Sequence, residues 1–217
     1  MKNSKVLEML INGQIEELKA QLQDEIYAEV ITVKPGAKKR YAAMKKYFTY
    51  FKSSREFLQK PCGVEFDDKF YISFCNSYSL ALTTEPCGAI ELFTDKDRYP
   101  DVNRLVNFRG TPRKVDFTQV FADAKSQGYK LKKTELDSFK YNYLLHYDGA
   151  YYKAGLLDST FSIIDDGEEA TVYHKDGEGS APIIIKNSIG ICVVMPVNVE
   201  NEEVLENKIV IEVKNNA

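Results

Sequence analysis

The spacing of hydrophobic residues predicts two amphipathic helical segments near the start of the chain. Between Lys2 and Asp24, apolar residues recur every three or four positions, which is the period of one helical face. Gly13 weakens the middle of this segment and favours two short helices. A clearer helix is predicted over Ala37 to Gln59, directly after the break at Pro35-Gly36. Its predicted buried face consists of Tyr41, Met44, Phe48, Phe51 and Leu58.

Strands are predicted on both sides of this helix. Ile26 to Val33 is rich in β-branched and aromatic residues, which favour strands. Pro61 ends the helix, and three short strands with tight turns between them follow it. They are Val64 to Phe66, Phe70 to Cys75 and Tyr78 to Thr84. The first half therefore has the order strand, helix and three antiparallel strands.

The same order is predicted in the second half. A strand over Tyr141 to Tyr147 is followed by a turn at Asp148-Gly149 and by a helix over Tyr152 to Ile164. Three antiparallel strands come next, over Ala170 to His174, Ile183 to Ile185 and Ile191 to Met195. The last two are continuous apolar runs, which indicates that they are covered on both faces.

Three further elements are predicted outside the two halves. Ile90 to Phe93 is a candidate strand in an otherwise irregular connection. Phe117 to Ser126 is predicted to be a short helix with Gly128 as its C-cap, and Ile209 to Val213 is a candidate strand near the end.

The repeated order of elements predicts an α+β fold. Two β-α-β-β-β units are expected, with antiparallel sheets paired edge to edge and both helices on one side. The expected organisation is a helical extension over 1–25, one domain over 26–199 and a tail over 200–217. Within the domain the halves are about 26–84 and 141–199, joined by a connector over 85–140.

The charge of the chain is distributed unevenly. The formal net charge of the 217 residues is −3, which excludes a protein that binds nucleic acid with its whole surface. Between Lys34 and Lys60, however, nine Lys or Arg residues stand against one acid, Glu56. On the predicted helix the lysines gather opposite the apolar face, at Lys38, Lys39, Lys45, Lys46 and Lys52. An ordinary solvated helix face and a surface that contacts DNA both explain this pattern.

Other classes of function find little support in the composition. The two histidines and four cysteines lack the spacing of a metal site or of a nucleophile with its base, and the chain has no Gly-rich phosphate loop. We therefore expect neither an enzyme nor a bound cofactor. No run approaches the ~18 apolar residues of a membrane span, and the first residues do not resemble a signal peptide, so a cytoplasmic protein is expected.

Three segments resemble the DNA sliding clamp superfamily, and in particular the bacterial polymerase III beta clamp. GLLDSTFSII, APIII and ICVVMPV are similar to the last helix, the penultimate strand and the terminal Met-Pro strand of a clamp. KPCGVEFDDKFYISFCNSYSLALTT is similar to the proline and three strands that follow a clamp helix. RYPDVNRLV resembles the connector between clamp domains. The domain over 26–199 is therefore expected to be a single clamp-like domain.

This resemblance implies a non-catalytic processivity factor. Clamp helices line a ring of six domains, where their Lys and Arg side chains face duplex DNA, so Lys38, Lys39, Lys45, Lys46 and Lys52 are the implied DNA-binding residues. The terminal strand of a beta clamp borders the pocket for peptides of replication and repair proteins, which corresponds to Met195, Pro196 and Val197. Without the resemblance, Met195 and Pro196 are better explained as a buried strand end. One domain per chain implies a homo-oligomeric ring or, alternatively, a protein-interaction or structural module that does not encircle DNA.

Overall fold

The fold is known from a computed structural model, which describes residues 3–15, 17–19, 21–22, 25–26, 34–50, 55–88, 90–132, 135, 141–175, 177–198 and 208–213. The helices are α1 (Asn3–Ile11), α2 (Ala37–Tyr50), α3 (Val102–Leu105), α4 (Phe117–Ser126) and α5 (Ala154–Phe161). The strands are β1 (Cys62–Phe66), β2 (Lys69–Cys75), β3 (Ser79–Thr83), β4 (Arg113–Val115), β5 (Tyr143–Tyr147), β6 (Ala150–Lys153), β7 (Ala170–Tyr173), β8 (Ile183–Lys186), β9 (Gly190–Val194) and β10 (Ile209–Glu212). Single turns of 3₁₀ helix cover Glu56–Leu58 and Lys96–Arg98.

Within the described residues, the strands form two sheets. The larger sheet has the order β1-β2-β3-β9-β8-β7-β4, and all of its neighbouring strands are antiparallel. Its central pair, β3 and β9, joins the first half of the chain to the second edge to edge. The smaller sheet has the order β10-β5-β6, with β10 parallel to β5 and β6 antiparallel to it. The predicted α+β fold with antiparallel sheets is confirmed, and the β10–β5 pair is a parallel exception.

Both faces of the larger sheet are covered. Successive side chains of a strand point to opposite faces, so Phe74 and Cys192 lie on one face while Leu82 and Val193 lie on the other. Helices α2, α4 and α5 pack on the first face. The connecting segment over 93–106 packs on the second. The prediction that the helices of the two halves, now α2 and α5, lie on one side of the sheet is thus confirmed.

The main difference from the predicted order lies in the second half. Asp148 and Gly149 have φ angles of 50° and 81°, as a type I′ turn requires, and this turn joins β5 directly to a second strand, β6. Tyr152, predicted as helical, pairs in this strand with Leu145. The helix is therefore shorter than predicted, and it follows a hairpin of the smaller sheet rather than a single strand of the larger one.

The remaining predictions have mixed outcomes. The helix over Phe117–Ser126 has its predicted bounds, and the three strands before residue 84 and the last hairpin are observed with shifts of one or two residues at their ends. Helix α1 ends at Ile11 and helical residues resume at position 15, which confirms the division at Gly13. Of the candidate strand Ile26 to Val33, Ile26 is helical and the rest lies outside the described residues.

Two more outcomes concern the connections and the surface. Phe93 forms one isolated bridge with Cys62 instead of a strand, whereas β4 was not predicted. None of the helices in the described part of the chain has the length and apolar character needed to cross a membrane.

Candidate nucleic-acid interface

Helix α2 positions the basic residues because its opposite face is anchored in the core. Ala37, Arg40, Met44 and Tyr47 lie at helical spacing and are buried. The buried face is rotated from the predicted one, since Tyr41 and Phe48 are only half-buried and Phe51 lies outside the described residues. The hydroxyl of Tyr47 and that of Ser79 on β3 are 3.0 Å apart, so the helix is fixed to the sheet by a polar contact as well.

Three of the predicted DNA-binding lysines lie on the outer face of α2. Lys38, Lys45 and Lys46 are exposed, and no carboxylate of the described residues forms an ion pair with them. The ammonium group of Lys45 lies 4.3 Å from the centre of the Tyr41 ring, which is within the range of a cation–π contact. Lys52 lies outside the described residues. The outer face of α2 is therefore positively charged, as the sequence predicts.

Lys39 differs from its neighbours because it has an acidic partner. Its Nζ atom lies 2.6 Å from Oδ2 of Asp165, whose other carboxylate oxygen accepts a hydrogen bond of 2.7 Å from the hydroxyl of Thr118. Burial raises the pKa of Asp165, but the hydrogen bonds from Lys39 and Thr118 and the charge of Lys39 outweigh it and hold the pKa below its ordinary value. The positive charge of Lys39 is thus partly compensated by Asp165.

Arg40 is one of the nine basic residues of the segment 34–60, but it does not belong to the surface. Its side chain is 1% exposed, and its guanidinium group donates hydrogen bonds of 2.7 and 2.6 Å to the carboxylate of Glu85. Sequence reasoning missed this pair because the two residues are 45 positions apart. The only local signal was that Arg40 falls three positions after Ala37 and four before Met44, on the face that the core covers.

Helix α5 offers no comparable surface, because all of its residues are buried. Burial raises the pKa of Asp158 on this helix, and the charge of Lys125 and a hydrogen bond of 3.1 Å from the hydroxyl of Tyr129 lower it by less. The Nζ atom of Lys125 lies 3.9 Å from the Asp158 carboxylate. The helix that the clamp resemblance assigns to the DNA side in the second half is therefore enclosed by the fold.

A small cavity adjoins the basic face where α2 meets α5. Its volume is about 280 Å³. It is lined by Lys39, Ala42, Ala43, Lys46, Tyr50, Leu131, Ser159 and Ser162. The ammonium groups of Lys39 and Lys46 provide hydrogen-bond donors of the kind that phosphate oxygens accept, whereas the hydroxyls of Ser159 and Ser162 already donate to the Leu156 carbonyl and the Asp158 carboxylate.

The predicted partner-binding residues continue from β9. The backbone N–H of Met195 donates to the carbonyl of Tyr78 (2.9 Å), and that of Val197 donates to the carbonyl of Tyr151 (2.7 Å). The interpretation as a buried strand end is wrong for Met195, whose side chain is 45% exposed beside the 54% exposed Tyr78. Pro196 and Val197 are half-buried. The three residues thus lie at a surface with an apolar component.

A histidine and a carboxylate meet near the β5–β6 turn. Nδ1 of His174 lies 3.3 Å from Oδ2 of Asp148, which also pairs with Arg113. A hydrolytic site would need a hydroxyl or thiol on Nε2 of the histidine. This atom is buried and has no hydrogen-bond partner in the described part of the chain.

Cysteine chemistry is disfavoured by the fold. The four cysteines are free and buried, and three of them lie in strands. Burial raises the pKa of Cys75 to about 12, so its thiolate is scarce at neutral pH. Across the ranges that the structure describes, no group of three or more His, Cys, Asp or Glu side chains is arranged to hold a metal ion.

Comparisons with known proteins add no assignment. No family model matches the chain, and no curated protein matches it.

Proposed function

We propose that this protein is a non-catalytic, sliding-clamp-like accessory of DNA replication or repair that binds the backbone of duplex DNA through Lys38, Lys45 and Lys46. The observation that carries the proposal is that these lysines lie exposed, without an acidic partner in the described residues, on the outer face of a helix whose inner face is buried. Binding to a phosphate backbone requires positive charge on a rigid surface and no base contacts.

The spacing of the lysines suits a nucleic-acid strand. Lys38 and Lys45 are seven positions apart, which separates them by about 10 Å along the helix axis. Phosphates of one DNA strand follow each other at about 3.4 Å along the duplex axis. With the helix aligned along the duplex axis, the pair therefore spans about three phosphate-to-phosphate steps, and Lys46 adds a third contact beside Lys45.

Salt-dependent binding to random-sequence duplex DNA tests the proposal. Fluorescence anisotropy at low salt is expected to detect binding, and replacing Lys38, Lys45 and Lys46 together by Glu is expected to abolish it. Loss of three contacts corresponds to a change of roughly three in the slope of log affinity against log salt. Absence of binding by the wild-type chain at low salt would refute the DNA part of the proposal.

A control variant separates the site from the total charge. Lys69, Lys96 and Lys114 are exposed and lie on β2, a 3₁₀ turn and β4 rather than on α2. Replacing these three by Glu changes the net charge equally and is expected to leave most of the affinity intact. An equal loss in both triple variants would show that the outer face of α2 is not the binding site.

The proposal includes a place for a client protein at Met195, Pro196 and Val197. It is supported by the exposure of Met195 beside Tyr78 at the end of β9. A short apolar peptide is expected to shift the NMR signal of the Met195 methyl group, and Met195→Glu is expected to remove binding. Phe70→Glu, at a 58% exposed apolar residue on β2, is the matched control. Equal effects of the two variants would refute this site.

A second candidate is a protein-interaction or structural module that keeps a clamp-like fold without encircling DNA. The complete burial of α5 favours it, because a clamp presents the helices of both units to DNA, whereas of these two described helices only α2 presents a basic face. Six clamp domains close a ring, so a ring requires six copies of a one-domain chain. A hexameric mass by light scattering would support the ring, and a monomeric mass would support the module.

A further inference from the structure

A slot separates helix α4 from the last strand, β10. Its volume is about 570 Å³. It is lined by Asp116, Gln119, Val120, Asp123, Ala124 and Gln127 from the helix side and by Val210, Ile211 and Glu212 from the strand. One face of α4 lies opposite the strand across the slot, because the lining residues of the helix side recur at helical spacing, at positions 116, 119, 120, 123 and 127.

Strand β10 is an edge strand whose hydrogen bonds are used on one side. The N–H groups of Ile209 and Val213 donate to carbonyls of Asn142 and His146, at 2.8 and 3.1 Å, so the odd-numbered residues bond to β5. In a parallel pair, alternate residues point their N–H and C=O groups away from the partner. The backbone groups of Val210 and Glu212 therefore point to the open edge, where no described residue pairs with them.

The charge of the slot has one sign. Asp116, Asp123 and Glu212 carry its charged side chains, and none of the residues that line it is a Lys or Arg, although Oε2 of Glu212 lies 2.8 Å from Nδ1 of His146 on β5. One oxygen of Asp116 accepts a bond from the N–H of Gln119 (2.8 Å), and one oxygen of Asp123 accepts a bond from the side-chain amide of Gln119 (2.6 Å). A carboxylate has about four acceptor positions, so each keeps capacity for a further donor. Val120, Val210 and Ile211 provide apolar surface between the acids.

We propose that this slot binds an extended segment of a partner protein, which adds a strand to β10 and carries Lys or Arg residues that face Asp116 and Asp123. Main-chain hydrogen bonds to Val210 and Glu212 supply the attachment, as in other cases of strand addition to a sheet edge. The acids select basic side chains by charge complementarity. Four residues of β10 span about 13 Å, so a short segment fills the edge.

The probe for this site is a short synthetic peptide of alternating lysine and threonine. Amide hydrogen exchange followed by NMR is expected to show new protection at Val210 and Glu212 when the peptide binds. Methylating the backbone nitrogens of the peptide at alternate positions, in both possible sets, is expected to abolish binding in the set that faces β10. Equal binding of both methylated sets would overturn the proposal, because strand addition needs these N–H groups.

Variants test the role of the acids. Asp123→Lys is expected to weaken peptide binding at least about tenfold, whereas Asp97→Lys, at an exposed acid on the 3₁₀ turn Lys96–Arg98, is expected to leave it unchanged. Because Asp123 is exposed, the variant is expected to fold, which circular dichroism checks. Two results would overturn the proposal. One is equal binding of a peptide with glutamate in place of lysine, and the other is full protection of Val210 and Glu212 in the free protein.

Discussion

Arg40 and Glu85 form a two-pronged ion pair inside the protein, with N–O distances of 2.7 and 2.6 Å and 1% exposure of both side chains. The same guanidinium group donates a third hydrogen bond, of 2.9 Å, to the carbonyl of Asp165. Glu85 follows β3 and Asp165 follows α5. Arg40 on α2 therefore links the first half of the chain to the second.

Removing one partner of this pair is expected to be costly. Arg40→Met leaves the Glu85 carboxylate buried without its cation, and the free energy of unfolding is expected to fall by about 3–5 kcal/mol. Arg40→Met combined with Glu85→Leu is expected to recover most of that loss, because neither charge of the pair is then left buried without its partner. Urea unfolding measures all three proteins. Lys38→Met, on the exposed face of the same helix, serves as the control and is expected to change stability by less than about 0.5 kcal/mol.

The contact between Lys39 and Asp165 is expected to make stability depend on pH. The pKa of Asp165 lies below its ordinary value in the folded protein, so the contact stabilises the fold above the ordinary pKa and this stabilisation is lost as the pH falls through the folded-state pKa. Lys39→Gln is therefore expected to lower stability at neutral pH but not in strong acid. Lys38→Gln removes the same charge without this contact, and an equal loss in both variants would contradict the prediction.

Asp158 is expected to act in the opposite direction. Its pKa is raised by burial, so the folded protein favours the protonated acid, and stability falls as the pH rises from the ordinary pKa of Asp through the folded-state pKa. Asp158→Asn keeps an acceptor for Tyr129 and removes the buried charge. Unfolding midpoints measured across the pH range should show the variant to be more stable at neutral pH, with the difference vanishing in acid. Parallel pH profiles would contradict this assignment.

Gly110 is expected to tolerate no side chain. Its φ angle is +83°, and a Cβ atom at this position would lie 1.6 Å from the carbonyl oxygen of His174, which belongs to the backbone and cannot rotate away. Gly110→Ala should therefore detach the residues just before β4 from the end of β7 and strongly destabilise the protein. Gly128→Ala, at φ +99° with open space around it, is the control and should cost only about 1–2 kcal/mol of backbone strain. Similar thermal melting of the two variants would be inconsistent with this contact.

Local signals predicted the elements whose causes are local. Helix α4 has its predicted bounds because Asp116 caps its first turn and Gly128 follows its end. The Asp148-Gly149 turn is a local signal for strand β6, since a two-residue turn of this type requires a strand directly after it. The apolar spacing after Tyr152 predicts a helix from this residue on, whereas Tyr152 and Lys153 are the last two residues of β6.

The candidate site could be predicted only in part, because its charges have distant partners. Lysines on one helix face follow from their spacing, and Lys38, Lys45 and Lys46 lie there. The spacing of residues along helix α2 cannot show that Arg40 contacts Glu85 or that Lys39 contacts Asp165, since these contacts form only when distant parts of the chain pack together. The parallel pairing of β10 with β5, and with it the slot beside α4, likewise depends on residues far apart in sequence.

The pairing of β3 with β9 also affects how the protein folds while the ribosome makes it. Beside this junction, the side chain of Thr84 bonds to the carbonyl of Ile189, 105 positions later. At about 5–20 residues per second, a ribosome takes at least about five seconds to make the chain between them. During that time the nascent chain carries a buried-type apolar strand with an open edge, which is a template for aggregation. The first half made alone would keep this edge open, because its partner strand β9 belongs to the second half.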